Sequence, residues 1–122
     1  MIHLSTFTHA PMKVSSIIGA HVVNPQAESL GSIKEIVLDP HIGRVAYVVV
    51  SFGGFLGLGE KLFAIPFSAF DYDAAKQEYV LDVAKELLTE APGFAADRWP
   101  SLADEQWHRD VYKYYGRPPY WE

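Results

Sequence analysis

From Leu30 to Asp39 the order Leu-Gly-Ser-Ile-Lys-Glu-Ile-Val-Leu-Asp reads as a strand, but its alternation slips in the middle. Ile33 and Ile36 stand three apart where one sheet face demands a spacing of two. One extra residue near Lys34 or Glu35 restores the phase, so a β-bulge is expected there. Asp39-Pro40-His41-Ile42-Gly43 then supplies a turn starter, a fixed φ and a residue tolerant of positive φ, which predicts a short hairpin connection. The return strand, Arg44 to Phe52, is apolar on both faces. Val45, Tyr47 and Val49 fall on one side and Ala46, Val48, Val50 and Phe52 on the other. A strand patterned in this way is covered on both sides, so something must sit on its outer face.

The flanking segments carry weaker rhythms. Residues 1 to 13 lack periodicity and hold His3, His9 and Pro11, which predicts a loose arm. Ser15 and Ser16 before Ile17-Ile18-Gly19 suit one helical turn leading into an extended Ala20 to Val23, and Asn24 to Glu28 reads as a turn. A glycine-rich connection, Gly53 to Glu60, precedes a short strand from Lys61 that Pro66 stops. Phe67 to Phe70 leads into a polar turn, Asp71 to Gln77, and Glu78 to Val83 is a strand with Tyr79, Leu81 and Val83 inward. Ala84 to Leu88 suits a helical turn that Ala91-Pro92-Gly93-Phe94 breaks. Ser101 and Asp104 resemble a capping box, and Trp107, Val111 and Tyr114 or Tyr115 recur at helical spacing. A helix from Leu102 to Tyr115 is therefore expected, ended by Gly116 and Pro118-Pro119. The fold class is mainly β with a C-terminal helical extension.

Length and composition narrow the class of protein. A chain of 122 residues suits one domain with one core. At 49% hydrophobic and 20% charged residues it is of ordinary globular make-up, which excludes a mainly disordered or low-complexity protein. The absence of cysteine removes disulfides, thiol nucleophiles and thiolate metal sites, and a reduced, cytoplasmic setting fits best. The longest unbroken apolar run, Val45 to Val50, falls far short of the ~20 residues that span a bilayer. The N-terminus also lacks a signal-peptide pattern, so no membrane span and no export are expected. The net charge of -5 repels phosphate backbones and argues against general nucleic-acid binding. Residues 1 to 66 carry four basic and four acidic side chains, and residues 67 to 122 carry six and eleven. The excess is read as a solvated acidic face, against a docking surface for a basic partner.

Candidate chemistry is thin. Gly54 to Gly59 matches G-x-x-x-x-G, but a phosphate loop needs lysine and then a hydroxyl directly after the second glycine, at a helix N-terminus. Here Glu60-Lys61-Leu62 follows and opens a strand. His3, His9, His21, His41 and His108 are scattered without ligand spacing, so no metal site is expected. Ser15, Ser16, Ser51 and Ser68 lack a nucleophile elbow. Asp71, Asp73, Glu78 and Asp82 occupy turn and strand positions usual for solvated carboxylates. Arg109, Lys113 and Arg117 lie among aromatics, as in single-strand binders, but Asp104, Glu105, Asp110 and Glu122 offset them. The expectation is a protein that is not an enzyme, with no catalytic, cofactor-binding or metal-binding residue and no cofactor.

The turn Ile17-Ile18-Gly19, the run Leu30-Gly31-Ser32-Ile33, Leu38-Asp39 before Gly43 to Val50, and Lys61-Leu62-Phe63-Ala64-Ile65-Pro66 together resemble the PRC-barrel family over about residues 14 to 90. Ser51 to Lys61, Ala91-Pro92-Gly93-Phe94, Trp99-Pro100 and Pro119-Tyr120-Trp121 are similar to stand-alone bacterial members. The resemblance implies a small, strongly bent antiparallel β-barrel. It points to the cytoplasmic part of the photosynthetic reaction centre H subunit and to the C-terminal domain of the ribosome maturation factor RimM, in both of which the barrel binds protein. The sequence departs from each, showing neither the H subunit's transmembrane helix nor the domain that precedes the barrel in RimM. The family offers no shared catalytic set. On this reading the chain divides into an arm (1–13), a PRC-barrel domain (14–90) and an extension (91–122) with its helix at about 102–115.

The expected function is a non-enzymatic protein-interaction domain that self-associates as a homodimer and binds a protein partner. Two segments supply the candidate surface. Phe55, Leu56 and Leu58 on the glycine-rich connection are either tucked over a barrel end or exposed for a partner. Trp107, Tyr112, Tyr114, Tyr115, Tyr120 and Trp121 offer more aromatic surface than one stripe uses. They either pack back over the Arg44 to Phe52 strand or meet another chain. The alternatives are a barrel that holds a small ligand or cofactor at its mouth, and an accessory factor of a photosynthetic membrane complex or of RNA or ribosome maturation.

Overall fold

The slipped phase of the Leu30 to Asp39 run is resolved in a computed structural model, which describes residues 9–53 and 60–122. Strand β2 (Ser29–Asp39) pairs antiparallel with β3 (Arg44–Gly53), and the register jumps between Ile33 and Glu35. Lys34 is the extra residue, as the spacing predicts. A second jump was not foreseen: Val37 faces Tyr47 and Leu38 faces Val45, which leaves Ala46 as a bulge on β3. This bulge corrects the expected faces of β3. Val48, Val50 and Phe52 point into the main core as expected, but Val45 joins them and Ala46 turns outward beside Tyr47.

The remaining elements are α1 (Val14–Ile17), β1 (His21–Val23), β4 (Glu60–Ile65), a 3-10 turn (Phe67–Ala69), β5 (Phe70–Asp73), β6 (Glu78–Leu81), α2 (Lys85–Glu90), β7 (Phe94–Ala95) and α3 (Glu105–Tyr114). The strands form one seven-stranded sheet in the order β5-β6-β1-β2-β3-β4-β7. The fold is mainly β, and two features differ from a closed antiparallel barrel. Edge strands β5 and β7 are not hydrogen-bonded to one another, and β1 pairs with β6 in parallel. Two strands were missed because each is short and lies in polar or glycine-proline sequence. Phe70–Asp73 begins the expected polar turn, and Phe94–Ala95 follows Pro92-Gly93. Their partners, Glu78–Leu81 and Lys61–Leu62, impose the extended conformation.

Helix α3 starts later than Leu102. Ser101 Oγ accepts from the Ala103 N–H, and Ser101 O accepts from the Asp104 N–H, which spends these residues on a turn. Asp104 then becomes the N-cap, with Oδ1 accepting from the N–H groups of Gln106 (3.1 Å) and Trp107 (3.3 Å). The helix closes in a Schellman motif: the Gly116 N–H bonds Lys113 O and the Arg117 N–H bonds Tyr112 O, with Gly116 at φ 67°.

The main core joins Val22, Leu30, Ile33, Val50, Phe63 and Leu81 across the bent sheet, all essentially inaccessible. Asn24 is the one polar side chain buried among the described residues. Its Oδ1 accepts from the N–H groups of Gln26 (3.1 Å) and Glu28 (2.9 Å), and its Nδ2 donates to Glu28 Oε1 (2.8 Å) and to Val83 O (3.4 Å). One side chain thus shapes the β1–β2 turn and ties it to the chain just beyond β6. Asn24→Ala takes the acceptor from the Gln26 and Glu28 N–H groups and the donor from Val83 O and is expected to cost about 1 to 2 kcal/mol, read as a lower midpoint in urea unfolding with an unchanged slope.

Candidate interaction surface

The tail turns back onto the outer face of β3, the cover that its doubly apolar pattern demands. Helix α3 places Val111 and Tyr112, both buried, against Ala46, Tyr47 and Ala64 to form a second core. The Tyr47 ring sits 5.4 Å from Trp107, 5.2 Å from His108 in a stacked arrangement and 5.9 Å from Tyr112. Tyr112 Oη donates to the Ala46 carbonyl, so the bulge residue becomes an anchor for the helix. Burial holds the Tyr112 and Tyr115 hydroxyls protonated well above the usual tyrosine range.

The last residues clasp the β2–β3 hairpin. Tyr120 Oη donates to Asp39 Oδ2 at 2.6 Å, and Arg44 Nη1 donates to Tyr120 O at 2.8 Å. Arg109 pairs with Glu105 (2.8 Å) and Glu122 (2.7 Å) and lies over the Trp121 ring. Tyr114 Oη donates to Leu87 O, which links α3 to α2. Of the expected surface aromatics, Tyr112 is buried, and Trp107, Tyr114, Tyr115, Tyr120 and Trp121 are partly covered. The structure gathers five of them in the second core over β3, and Tyr114 packs against the main core instead. Phe55, Leu56 and Leu58 lie outside the described residues.

The Tyr120 hydroxyl, and after it the His41 N–H, hold the Asp39 carboxyl below the ordinary carboxylate range. Burial, followed by the hydrogen bond to Asp39 and then its charge, pushes the Tyr120 hydroxyl up to about 12. A depressed folded pKa makes the Asp39 contribution present at neutral pH and lost as pH falls through the carboxylate range. A raised Tyr120 pKa keeps the donor in place until pH rises past the usual tyrosine value. The clasp is therefore expected to hold from below the ordinary carboxylate range up to about pH 12. The indole NMR signal of Trp121 should shift on acidification, and Tyr120→Phe should abolish that transition.

A second surface was not legible as such in the sequence. The opening beside β5 leaves a groove of about 500 Å³, floored by Ile17, Ile36 and Tyr79 and rimmed by Met12, Val14, Leu38, Phe67 and Tyr72. All five rim residues are exposed, Leu38 the most at 59%. Leu38 reads from the sequence as an ordinary strand position, and Met12 belongs to the arm expected to be loose. Only the missed strand β5 brings Phe70 and Tyr72 opposite them.

Among the described residues no group of three or more His, Cys, Asp or Glu side chains is arranged to hold a metal ion. His21 instead contacts Ser29 Oγ at 2.8 Å and Glu78 at 3.6 Å. Among the same residues no helix is long and apolar enough to cross a membrane. The family model of the PRC-barrel domain matches residues 11–88. No curated protein matches the chain.

Proposed function

Because the chain belongs to the PRC-barrel family, we propose that it is a non-enzymatic, cytoplasmic interaction domain that self-associates as a homodimer and docks a protein partner. The observation that carries this reading is the exposed apolar groove, where Met12, Val14, Leu38, Phe67 and Tyr72 stand together at the surface. Scattered exposed apolar residues are ordinary, whereas a contiguous set around a concave surface marks a binding site. The aromatic tail does not fill this role alone, since much of its area is spent on Tyr47, Ala46 and Ala64.

Sedimentation equilibrium over a wide concentration range tests the dimer, and a strict monomer at high concentration removes it. Purification from cell extract, with and without nuclease, tests the partner. A protein that co-purifies with the parent chain in both conditions, and is lost with Leu38→Asp, supports docking through the groove. Leu38 is exposed near the end of β2, so this substitution is expected to leave the fold intact.

A further inference from the structure

The groove does not end at Phe67. Phe67 and Val45 also line a second concavity of about 530 Å³, whose other walls are Arg44, Arg117 and the Pro118-Pro119-Tyr120 turn. Apolar groove and arginine-bearing pocket therefore form one continuous surface with a chemical gradient along it.

The two arginines are unusual in their pairing. The chain carries a net charge of -5, yet neither Arg44 nor Arg117 forms an ion pair with a described residue. The carboxylates nearest to hand are committed elsewhere. Glu122 lines the pocket but is held by Arg109 Nη1 at 2.7 Å, and Asp39 accepts from Tyr120. Both guanidinium-bearing segments are fixed. Arg44 spends one N–H on Tyr120 O and keeps the rest of its fork, while the Arg117 backbone is set by the Schellman motif and followed by two prolines. A guanidinium presents several donors in a planar fork that matches a carboxylate, so two of them lining one pocket without an ion pair form a receptor for acidic side chains.

We propose that this surface takes a peptide segment of a partner protein in which apolar residues adjoin acidic ones, the apolar side chains in the groove and the carboxylates at Arg44 and Arg117. The proposal rests on the interaction-domain reading and adds the partner's chemistry. Charge complementarity decides against a basic partner, even though the second half of the chain is acidic overall, because the charged side chains of the pocket left without an ion pair are the two arginines.

Fluorescence anisotropy with short labelled peptides tests it, each peptide carrying leucines followed by glutamates and each paired with a twin in which glutamine replaces glutamate. The acidic peptides should bind saturably and more tightly than their twins, and added salt should weaken them. Arg117→Gln should weaken the acidic peptides roughly tenfold while leaving the glutamine twins and the thermal midpoint unchanged. Leu38→Asp should weaken both kinds of peptide, and Arg117→Lys should retain part of the difference. Equal binding of acidic and glutamine peptides overturns the acidic assignment and leaves the interaction reading standing. Displacement of the acidic peptides by inorganic phosphate at a concentration equal to that of the peptide carboxylates also overturns it, since the pocket is then a small-anion site. If no peptide of either kind binds while the co-purified partner still depends on Leu38, the proposed partner chemistry is wrong and docking through the groove holds. If the partner too is indifferent to Leu38→Asp, both readings fail.

Discussion

A chain ending at Pro100 is expected to expose the outer face of the sheet and to lose native packing. Truncation removes Trp107, Val111, Tyr112 and Tyr115 from contact with Ala46, Tyr47 and Ala64, so the wholly buried Tyr47 ring becomes a surface aromatic on a central strand. Each large apolar side chain taken out of water contributes about 1.5 to 3 kcal/mol. Several such groups lost together approach the whole stability of an ordinary domain, about 5 to 15 kcal/mol. The Tyr112 bond to the Ala46 carbonyl goes as well, leaving an unpartnered acceptor at the bulge. Dye binding to exposed apolar surface should rise, near-ultraviolet dichroism should fall, and the truncated chain should aggregate on concentration. A truncated chain that stays soluble, with unchanged dichroism, would show that the tail covers nothing the fold needs. Tyr112→Phe is the finer probe: it keeps the ring and removes only the bond, with an expected loss of about 1 to 2 kcal/mol.

The difference between what the sequence disclosed and what it hid follows the range of the interactions. The strand from Ser29 to Asp39 and its bulge at Lys34 were readable because a period of two, once broken between Ile33 and Ile36, admits few repairs. The demand for a cover on β3 was readable from composition of the strand alone. The second bulge at Ala46 was not, since every residue from Val45 to Val50 is apolar and a slip among them leaves no mark on the pattern. The same blindness applied to β5 and β7, which are extended only because distant partners hold them there. The groove depends on β5, so the candidate site was hidden for the same reason. Met12, Leu38, Phe67 and Tyr72 are far apart in the chain and share no periodicity. The six tail aromatics were conspicuous in the sequence, but their number did not tell whether they faced inward or outward. The answer lay in Tyr47 and Ala46, on the opposite side of the contact.

Gly31→Ala is expected to be among the most damaging single changes in the chain, although it adds one methyl group. Gly31 lies in β2 opposite Val22 of β1, just below the place where Leu30 is the extra residue in the β1–β2 register. Its φ of 119° lies in a region that L side chains rarely adopt. The space is closed as well, because a Cβ here would overlap the Ser51 carbonyl oxygen and press on the Ser51 carbonyl carbon. These are backbone atoms of β3, so no rotamer change relieves the overlap, and β2 and β3 form the longest strand pairing of the sheet. Relief requires Gly31 to leave its conformation or β3 to move away from β2, and either disturbs Leu30, Ile33 and Val50 at the centre of the core. A loss of more than about 4 kcal/mol is expected, which places the substitution in the small class whose cause is backbone strain combined with overpacking. Gly43→Ala supplies the control. Gly43 also has positive φ, at 67°, but a Cβ there meets nothing within 4 Å, so only the conformational cost of about 1 kcal/mol applies. If the two alanine variants unfold at similar urea concentrations, the close approach of β2 to β3 at Gly31 is not what the fold depends on.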